Sequence, residues 1–204
     1  MEGIEGVGKS TNIETIKAYL IEQGIDFIVT REPGGTALAE KIRALLLELS
    51  DESIAELSEL LLVFASRAQH IEKLIKPALE SGKWVICDRF TDATFAYQGG
   101  GRGLDVAKIS ELETMVQGQL RPDLTIILDL DPKTGMERAA KRGALDRFEQ
   151  EELEFFDRVR QTYLNIAEAE PDRCIVIDAS QELNEVRSSL LAALKLRLPI
   201  DISN

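Results

Sequence analysis

A glycine-rich motif near the start of the chain restricts its possible folds more than any other feature. Residues Gly3–Ser10 read GIEGVGKS, which matches the phosphate-loop pattern G-x-x-x-x-G-K-S. Such a loop joins a strand to a helix, and its backbone N–H groups surround nucleotide phosphates. The motif therefore predicts a nucleoside triphosphate site made of consecutive residues, namely Gly3, Ile4, Glu5, Gly6, Val7, Gly8, Lys9, Ser10 and Thr11.

Three side chains of this loop have distinct predicted roles. Lys9 is expected to reach the β- and γ-phosphates of ATP, and the Ser10 hydroxyl is expected to bind Mg²⁺. Glu5 is unusual, because it places a carboxylate inside a loop that binds anions. We interpret it as a contact to a hydroxyl group of a second substrate, the alternative being an acidic residue near a helix start that binds no ligand.

Four apolar runs predict strands that are covered on both faces, at 25–30, 84–88, 124–130 and 173–178. Amphipathic stretches between them predict helices at 9–23, 36–49, 52–80, 106–119, 132–142, 148–169 and 182–197. Strands that alternate with helices indicate a parallel sheet with right-handed crossovers. We predict one α/β three-layer domain over residues 1–204, with a mostly parallel five-stranded sheet.

The first strand of this sheet is a difficulty. Only Met1 and Glu2 precede the motif, although a strand should lead into it and lie in the middle of the sheet. Without that strand its neighbours would lie about 9.6 Å apart, twice the usual spacing of ~4.8 Å. We expect the natural chain to start upstream of Met1, so that its first strand is truncated here. The intact mass of the native protein tests this, and for the short chain we expect weak stability and a displaced phosphate loop.

Composition excludes several functions. The net charge of −12 argues against binding of nucleic acids and anionic membranes, and no apolar stretch approaches the length of a membrane span. Cys87 and Cys174 lie in apolar runs without C-x-x-C spacing, which favours buried free thiols in a cytoplasmic protein. His70, the single histidine, is expected to be a partly exposed structural residue.

Several further motifs point to a second anionic substrate. The segment TREPGG at 30–35 follows a predicted strand, and Arg43 lies on the helix after it. Asp88 and Arg89 end another predicted strand, at the sheet edge where ligands bind. Phe64 and Arg67 share one face of a helix, although an aromatic residue at such spacing also suits the core.

In this order, the motifs resemble those of thymidylate kinases from residue 1 to about 180. The resemblance rests on EGIEGVGKST, TREPGGT, FASR, CDRF, AYQGGGRG, RPDLTIILDL and RGALDRFEQ. It implies an enzyme that passes the γ-phosphoryl group of ATP to dTMP, with Mg²⁺, and that is typically a homodimer. The long helix at 52–80 could supply the dimer interface.

The resemblance also implies roles for individual residues. Arg43 and Arg89 would hold the acceptor phosphate, with Glu32 and Asp88 organising metal and water, and Ser10 would share the metal with Asp88. Glu5 would bind the sugar 3′-hydroxyl. The thymidine contacts would be Arg67 to O4, Thr94 and Gln98 to N3, Tyr97 to the sugar and Phe64 stacked on the base. In many relatives the stacking phenylalanine lies four residues before the arginine, where this chain has Val63.

A basic segment completes the predicted site. Residues 135–147 carry four basic and two acidic side chains in an otherwise acidic protein. Arg138 and Arg142 lie one helical turn apart, where like charges repel unless an anion lies opposite, the alternative being a solvated helix end. The resemblance implies a lid at about 135–150, with Arg142 and Arg147 joining Lys9 and Arg89 in catalysis.

Two other functions stay open from the sequence. A kinase for another nucleoside monophosphate would share most of these motifs. A regulatory P-loop switch would need a water-positioning segment and a partner surface, and the sequence gives no clear sign of either.

Overall fold

The predicted strands are confirmed in the computed structural model, which describes residues 1–143 and 145–198. They are β1 (Phe27–Arg31), β2 (Trp84–Asp88), β3 (Thr125–Asp129) and β4 (Cys174–Asp178). The described strands form two two-stranded parallel sheets, β1 with β2 and β3 with β4, in place of the predicted single five-stranded sheet. The fold is the predicted open α/β arrangement, with crossover helices between consecutive strands.

The predicted helices occur in order with shorter bounds, but the one at 52–80 is divided, and the short helix at 91–94 was not predicted. They are α1 (Lys9–Glu22), α2 (Ala37–Leu47), α3 (Glu56–His70), α4 (Lys76–Glu80), α5 (Thr91–Thr94), α6 (Val106–Gln117), α7 (Pro132–Ala140), α8 (Leu153–Ala169) and α9 (Leu183–Arg197). Two π-helical segments, Ile71–Ile75 and Phe95–Gly101, continue α3 and α5. Side-chain caps explain several starts, because Thr36 accepts from Ala39 N and Asp105 accepts from Ala107 N.

The middle position of the sheet is held by Met1–Gly3. Glu2 N donates to Ile126 O at 2.7 Å, and Leu128 N donates to Glu2 O at 3.0 Å. On the other side, Arg89 N donates to Met1 O at 2.9 Å. The short segment therefore bridges β2 and β3 at their carboxyl-terminal ends, and the phosphate loop runs directly from it into α1. The prediction that the phosphate loop is displaced is therefore wrong for this structure.

An apolar cavity lies between β2 and β3 on the amino-terminal side of the Met1–Gly3 segment. It has a volume of about 500 Å³ and is lined by Met1, Trp84, Val85, Leu124 and Ile126, among others. These residues include the first positions of β2 and β3, which Met1–Gly3 does not reach. Only the carboxyl-terminal half of the middle position is thus filled by backbone.

Glu2 anchors this segment in the core. Its side chain is 1% exposed and accepts from Phe90 N at 2.6 Å and from the Tyr163 hydroxyl at 2.7 Å. Burial raises the pKa of its carboxyl group, against the lowering effect of the nearby N-terminal ammonium. These contacts fix the start of the phosphate loop relative to α8.

No helix within residues 1–143 and 145–198 combines the length and apolarity needed to cross a membrane. The carboxyl ends of β1 and β2 and the phosphate loop meet at one edge of the sheet, which is where parallel α/β folds bind ligands.

Candidate active site

The phosphate loop is closed around its own lysine. Lys9 Nζ donates to the carbonyl oxygens of Gly3 at 3.1 Å and Ile4 at 2.9 Å. Burial lowers the pKa of Lys9 to about 8, with repulsion from Arg89 acting in the same direction. Ser10 and Thr11 lie exposed in the first turn of α1. Their hydroxyl groups and the positive end of the helix dipole are therefore accessible to a ligand.

The loop also packs closely against the start of the predicted lid. Gly6 has a φ of 72°, and a Cβ added there would collide with the carbonyl oxygen of Gly135 on α7. In the opposite direction, a Cβ on Gly135 would lie 2.6 Å from Glu5 O. The two glycines therefore allow α7 to approach the phosphate loop backbone.

Glu5, Arg89 and Tyr97 form one cluster beside the loop. Glu5 Oε1 accepts from Arg89 Nη2 and from the Tyr97 hydroxyl, each at 2.8 Å. The Arg89 guanidinium lies 4.7 Å from the centre of the Tyr97 ring, and its Nη1 donates to Gly3 O at 2.8 Å. The structure thus brings together three residues predicted separately, and Arg89 reaches them from a backbone with φ of 66°.

Asp88 is the described residue best suited to hold a metal ion. Its Oδ1 atom is buried and has no hydrogen-bond partner among the described residues. No group of three or more histidine, cysteine, aspartate or glutamate side chains gathers as a metal site in the described part of the chain. A single carboxylate such as that of Asp88 suits Mg²⁺, which proteins often bind through one or two carboxylates plus substrate phosphates.

Glu32 does not have the environment that the sequence suggested. Its two carboxylate oxygens accept from Arg67 Nε at 2.7 Å and His70 Nδ1 at 2.8 Å. Both oxygens therefore already accept hydrogen bonds from protein groups, while Glu32 still lines one cavity together with Asp88 and Arg89. Its role in organising metal and water stays a prediction. The prediction that His70 is partly exposed is wrong, because its side chain is 0% exposed.

Three further residues that were predicted to contact the acceptor nucleotide are hydrogen-bonded to other protein groups. Thr94 Oγ1 accepts from Arg67 Nη2 at 2.8 Å, and Gln98 Nε2 donates to Glu59 Oε1 at 2.8 Å. Arg43 Nη1 donates to Pro33 O at 3.0 Å, and burial lowers its pKa. All three line a second cavity, of about 470 Å³, which Lys9, Asp88 and Arg89 also line.

Phe64 lies elsewhere than predicted. It is 2% exposed and packs with Leu60 and Ile109, so it does not line the cavity. Val63 and Phe90 line the cavity instead. The physical reason is the direction of α3, which turns Phe64 toward α6 and leaves its ring against the Arg67 guanidinium at 4.9 Å.

The predicted lid arginines face different partners. Arg138 and Arg142 line the cavity, and Arg142 is 61% exposed while paired with Glu149 at 3.0 Å. Arg147 instead donates to Glu59 Oε2 at 2.6 Å and to Leu46 O at 2.7 Å. In this structure Arg147 therefore joins the segment to α2 and α3, away from the phosphate loop.

One cavity of about 470 Å³ connects these groups. Residues of the phosphate loop, of the predicted acceptor site and of the predicted lid all contribute to its lining. Arg89 joins the first two groups through its bond to Glu5. The predicted site residues that line it are Glu5, Gly6, Gly8, Lys9, Ser10, Thr11, Glu32, Arg43, Arg67, Asp88, Arg89, Thr94, Tyr97, Gln98 and Arg142.

Sequence reasoning missed two residues of this region. Glu59 is 1% exposed and binds Gln98, Arg102 and Arg147 together. In the sequence it is one of several acidic residues in 51–59, and nothing local distinguishes it from a surface acid. Phe90 belongs to the CDRF motif, but the motif by itself assigns it no role.

Comparison with known proteins identifies relatives over nearly the whole chain. The family model described as thymidylate kinase matches residues 1–190. The chain is 60% identical over 190 residues to the thymidylate kinase of Pseudomonas syringae pv. tomato, covering 93% of this chain and 90% of that protein. It is 52% identical over 198 residues to that of Hahella chejuensis, covering 97% and 95%.

A solved structure agrees with these relatives. The crystal structure of thymidylate kinase from Ehrlichia chaffeensis is similar to this chain with a TM-score of 0.77 and 39% identity. The match covers 95% of each chain. The likeness therefore extends over most of the chain rather than over the phosphate loop alone.

Proposed function

The chain belongs to the thymidylate kinase family, and on that premise we propose how its cavity passes the γ-phosphoryl group of ATP to dTMP. The chain is an ATP-dependent nucleoside monophosphate kinase, a phosphotransferase that yields dTDP and ADP. The observation that carries the proposed site is a single cavity lined by both the phosphate loop and the acceptor residues. Two nucleotides bound there would meet with their phosphates end to end.

At the donor end, the loop residues Gly3–Thr11 would hold the triphosphate. Lys9 would exchange its two carbonyl partners for phosphate oxygens, because an anion offers a stronger partner than a carbonyl. Burial lowers the pKa of Lys9 to about 8, so Lys9 is still charged at pH 7 and an anionic ligand would stabilise that poorly solvated charge. Mg²⁺ would bind to Asp88 and Ser10 and would supply neutralisation of phosphate charge.

At the acceptor end, Arg89 and Arg43 would hold the dTMP phosphate. That phosphate is already anionic near neutral pH, so transfer requires positioning and charge neutralisation rather than a strong base. Glu5 would bind the sugar 3′-hydroxyl from its place between Arg89 and Tyr97. Arg142 lies exposed at the cavity and would move onto the transferred group, whereas Arg147 would first have to leave Glu59.

The domain would act as one unit with a lid at about 135–150. We also propose a homodimer, supported by Leu57 and Leu61, which are 53% and 49% exposed one turn apart on α3. A cytoplasmic location fits the free cysteines Cys87 and Cys174.

The proposal is tested by measuring ADP release with a panel of monophosphates. We expect turnover with dTMP and far lower values of kcat/KM with CMP, UMP and AMP. A preference for one of those three would instead indicate a different monophosphate kinase, and ATP hydrolysis unaffected by any monophosphate would indicate a switch protein. Sedimentation or light scattering would test the dimer separately.

A further inference from the structure

We propose that His70 is a positioning residue for pyrimidine selection, acting on Arg67 through Glu32. This inference deepens the proposed function and rests on it, since the base in question is that of dTMP. Neither the motifs nor the predicted mechanism used His70. Arg67 is the residue that connects the buried histidine to the cavity.

Arg67 is held on three sides and free on one. It is 1% exposed, its Nε donates to Glu32 at 2.7 Å, and its Nη2 donates to Thr94 Oγ1 and Phe90 O at 2.8 and 3.1 Å. Nη1 is buried and has no partner among the described residues. Because Arg67 also lines the cavity, this nitrogen is the donor that remains for a carbonyl oxygen of a bound base.

The plane of the guanidinium is fixed as well. Its central carbon lies 4.9 Å from the Phe64 ring centre and 5.2 Å from the Phe90 ring centre. Such contacts favour a defined orientation of the planar cation. The direction of Nη1 therefore depends on where Glu32 and Thr94 hold the other two nitrogens.

His70 controls the position of Glu32. An ionised carboxylate only accepts hydrogen bonds, so the proton of the 2.8 Å contact belongs to His70 Nδ1. The other ring nitrogen lies 2.7 Å from Thr30 Oγ1, which fixes the ring at its opposite edge. With Oε1 directed toward His70, Glu32 meets Arg67 through Oε2 and only at Nε.

Loss of the histidine would change that geometry. A freed Oε1 would draw Arg67 into a two-point contact through Nε and Nη2, the geometry that arginine and carboxylate prefer. Nη2 would then leave Thr94 and Phe90, and Nη1 would turn away from the base. The ring also packs against Gly35, where an added Cβ would lie 2.5 Å from His70 Nε2, so the site does not admit a bulkier neighbour.

The chemical consequence is loss of base selection. Thymine presents a carbonyl oxygen at position 4, whereas cytosine presents an amino group, which cannot accept from Nη1. A misaligned donor would weaken dTMP binding and reduce the disadvantage of dCMP. The hydrogen bonds of Arg67 go to Glu32, Phe90 and Thr94 and to no described residue of the phosphate loop, so the KM for ATP should be unaffected.

The test compares dTMP and dCMP kinetics in three variants. His70→Leu removes the donor, His70→Gln keeps an amide donor for Glu32, and Ile71→Val is the matched control. Ile71 is 0% exposed and adjacent to His70, but it packs in an apolar cluster with Ile75 and Phe90 and has no side-chain donor for Glu32. We expect His70→Leu to lower the dTMP to dCMP ratio of kcat/KM on the order of 10-fold to 100-fold, the effect of one hydrogen bond to a charged group.

The expected change lies mainly in the KM for dTMP, with the KM for ATP unchanged. His70→Gln should restore most of the ratio, and Ile71→Val should keep it despite a similar loss of thermal stability. An unchanged ratio in His70→Leu, an equal fall in Ile71→Val, or no recovery in His70→Gln would each overturn the inference. Absence of dTMP turnover in the unmodified protein would instead overturn the proposed function.

If His70→Leu fails to fold, Thr30→Val provides the second test. It removes the hydroxyl from the far edge of the ring and leaves His70 in place. The dTMP to dCMP ratio should fall several-fold, and an unchanged ratio in a folded Thr30→Val protein would overturn the inference.

Discussion

Replacing Lys9 by methionine should stabilise the ligand-free protein at pH 7 while abolishing phosphoryl transfer. The lysine is needed to hold phosphates, yet without them its charge is partly buried, and its hydrogen-bond partners among the described residues are two carbonyl oxygens. Burial lowers its pKa from the ordinary 10.5 to about 8, which means that the folded state disfavours the ammonium form. Methionine has a similar length and carries no charge.

The magnitude follows from the shift in pKa. At about 1.4 kcal/mol per pH unit, lowering the pKa from 10.5 to about 8 costs the folded state about 3.5 kcal/mol. Below pH 8 both states are protonated and the full cost is present. It declines as the pH rises from about 8 to 10.5, because the folded state then binds fewer protons. Losing two hydrogen bonds offsets about 1–2 kcal/mol, so Lys9→Met should gain about 1.5–2.5 kcal/mol at pH 7.

Urea unfolding at pH 7 and pH 10 would measure this difference. Lys17→Met is the matched control, since Lys17 lies on the same helix in an exposed pair with Glu14 and should change stability by less than about 0.5 kcal/mol. Lys9→Met should be the more stable protein at pH 7 and lose that advantage at pH 10. A destabilised Lys9→Met at pH 7, or an advantage independent of pH, would refute the reasoning.

Three other substitutions test the site at separate points. Arg142→Ala should lower kcat more than it raises the KM for ATP, because the exposed ion pair with Glu149 contributes little to the ground state; equal effects on both constants would contradict a transition-state role. Gly6→Ala should lower ATP affinity and stability by forcing the phosphate loop away from Gly135. Gly24→Ala is the control, because Gly24 also has a positive φ but an added Cβ meets nothing within 4 Å, so the variant should cost only its backbone strain. Similar losses in the two variants, measured by unfolding and by nucleotide titration, would exclude the close approach as the cause. Asp88→Asn should raise the Mg²⁺ concentration needed for half-maximal turnover, since its Oδ1 is buried without a hydrogen-bond partner among the described residues; an unchanged Mg²⁺ titration would remove Asp88 from the metal site.

Features set by neighbouring residues were predictable from the sequence. The phosphate loop is a run of consecutive residues whose glycines and lysine act through local backbone geometry, so the amino-acid order alone locates Gly3–Thr11. The four apolar runs each became a strand within two residues of the predicted bounds, because burial on both faces leaves a continuous apolar pattern. The Asp88–Arg89 pair was predictable because it lies at the end of one of these strands.

Contacts between distant elements were decided by the tertiary structure alone. Glu32 and His70 are 38 residues apart, and Glu59 and Arg147 are 88 apart, so no local pattern could pair them. The same helix face admits Val63 or Phe64 toward the cavity, and only the packing of α3 on α6 turns the phenylalanine inward. Chemical identity along the chain determines which groups are available, while long-range packing determines which of their hydrogen-bonding atoms remain free for a substrate.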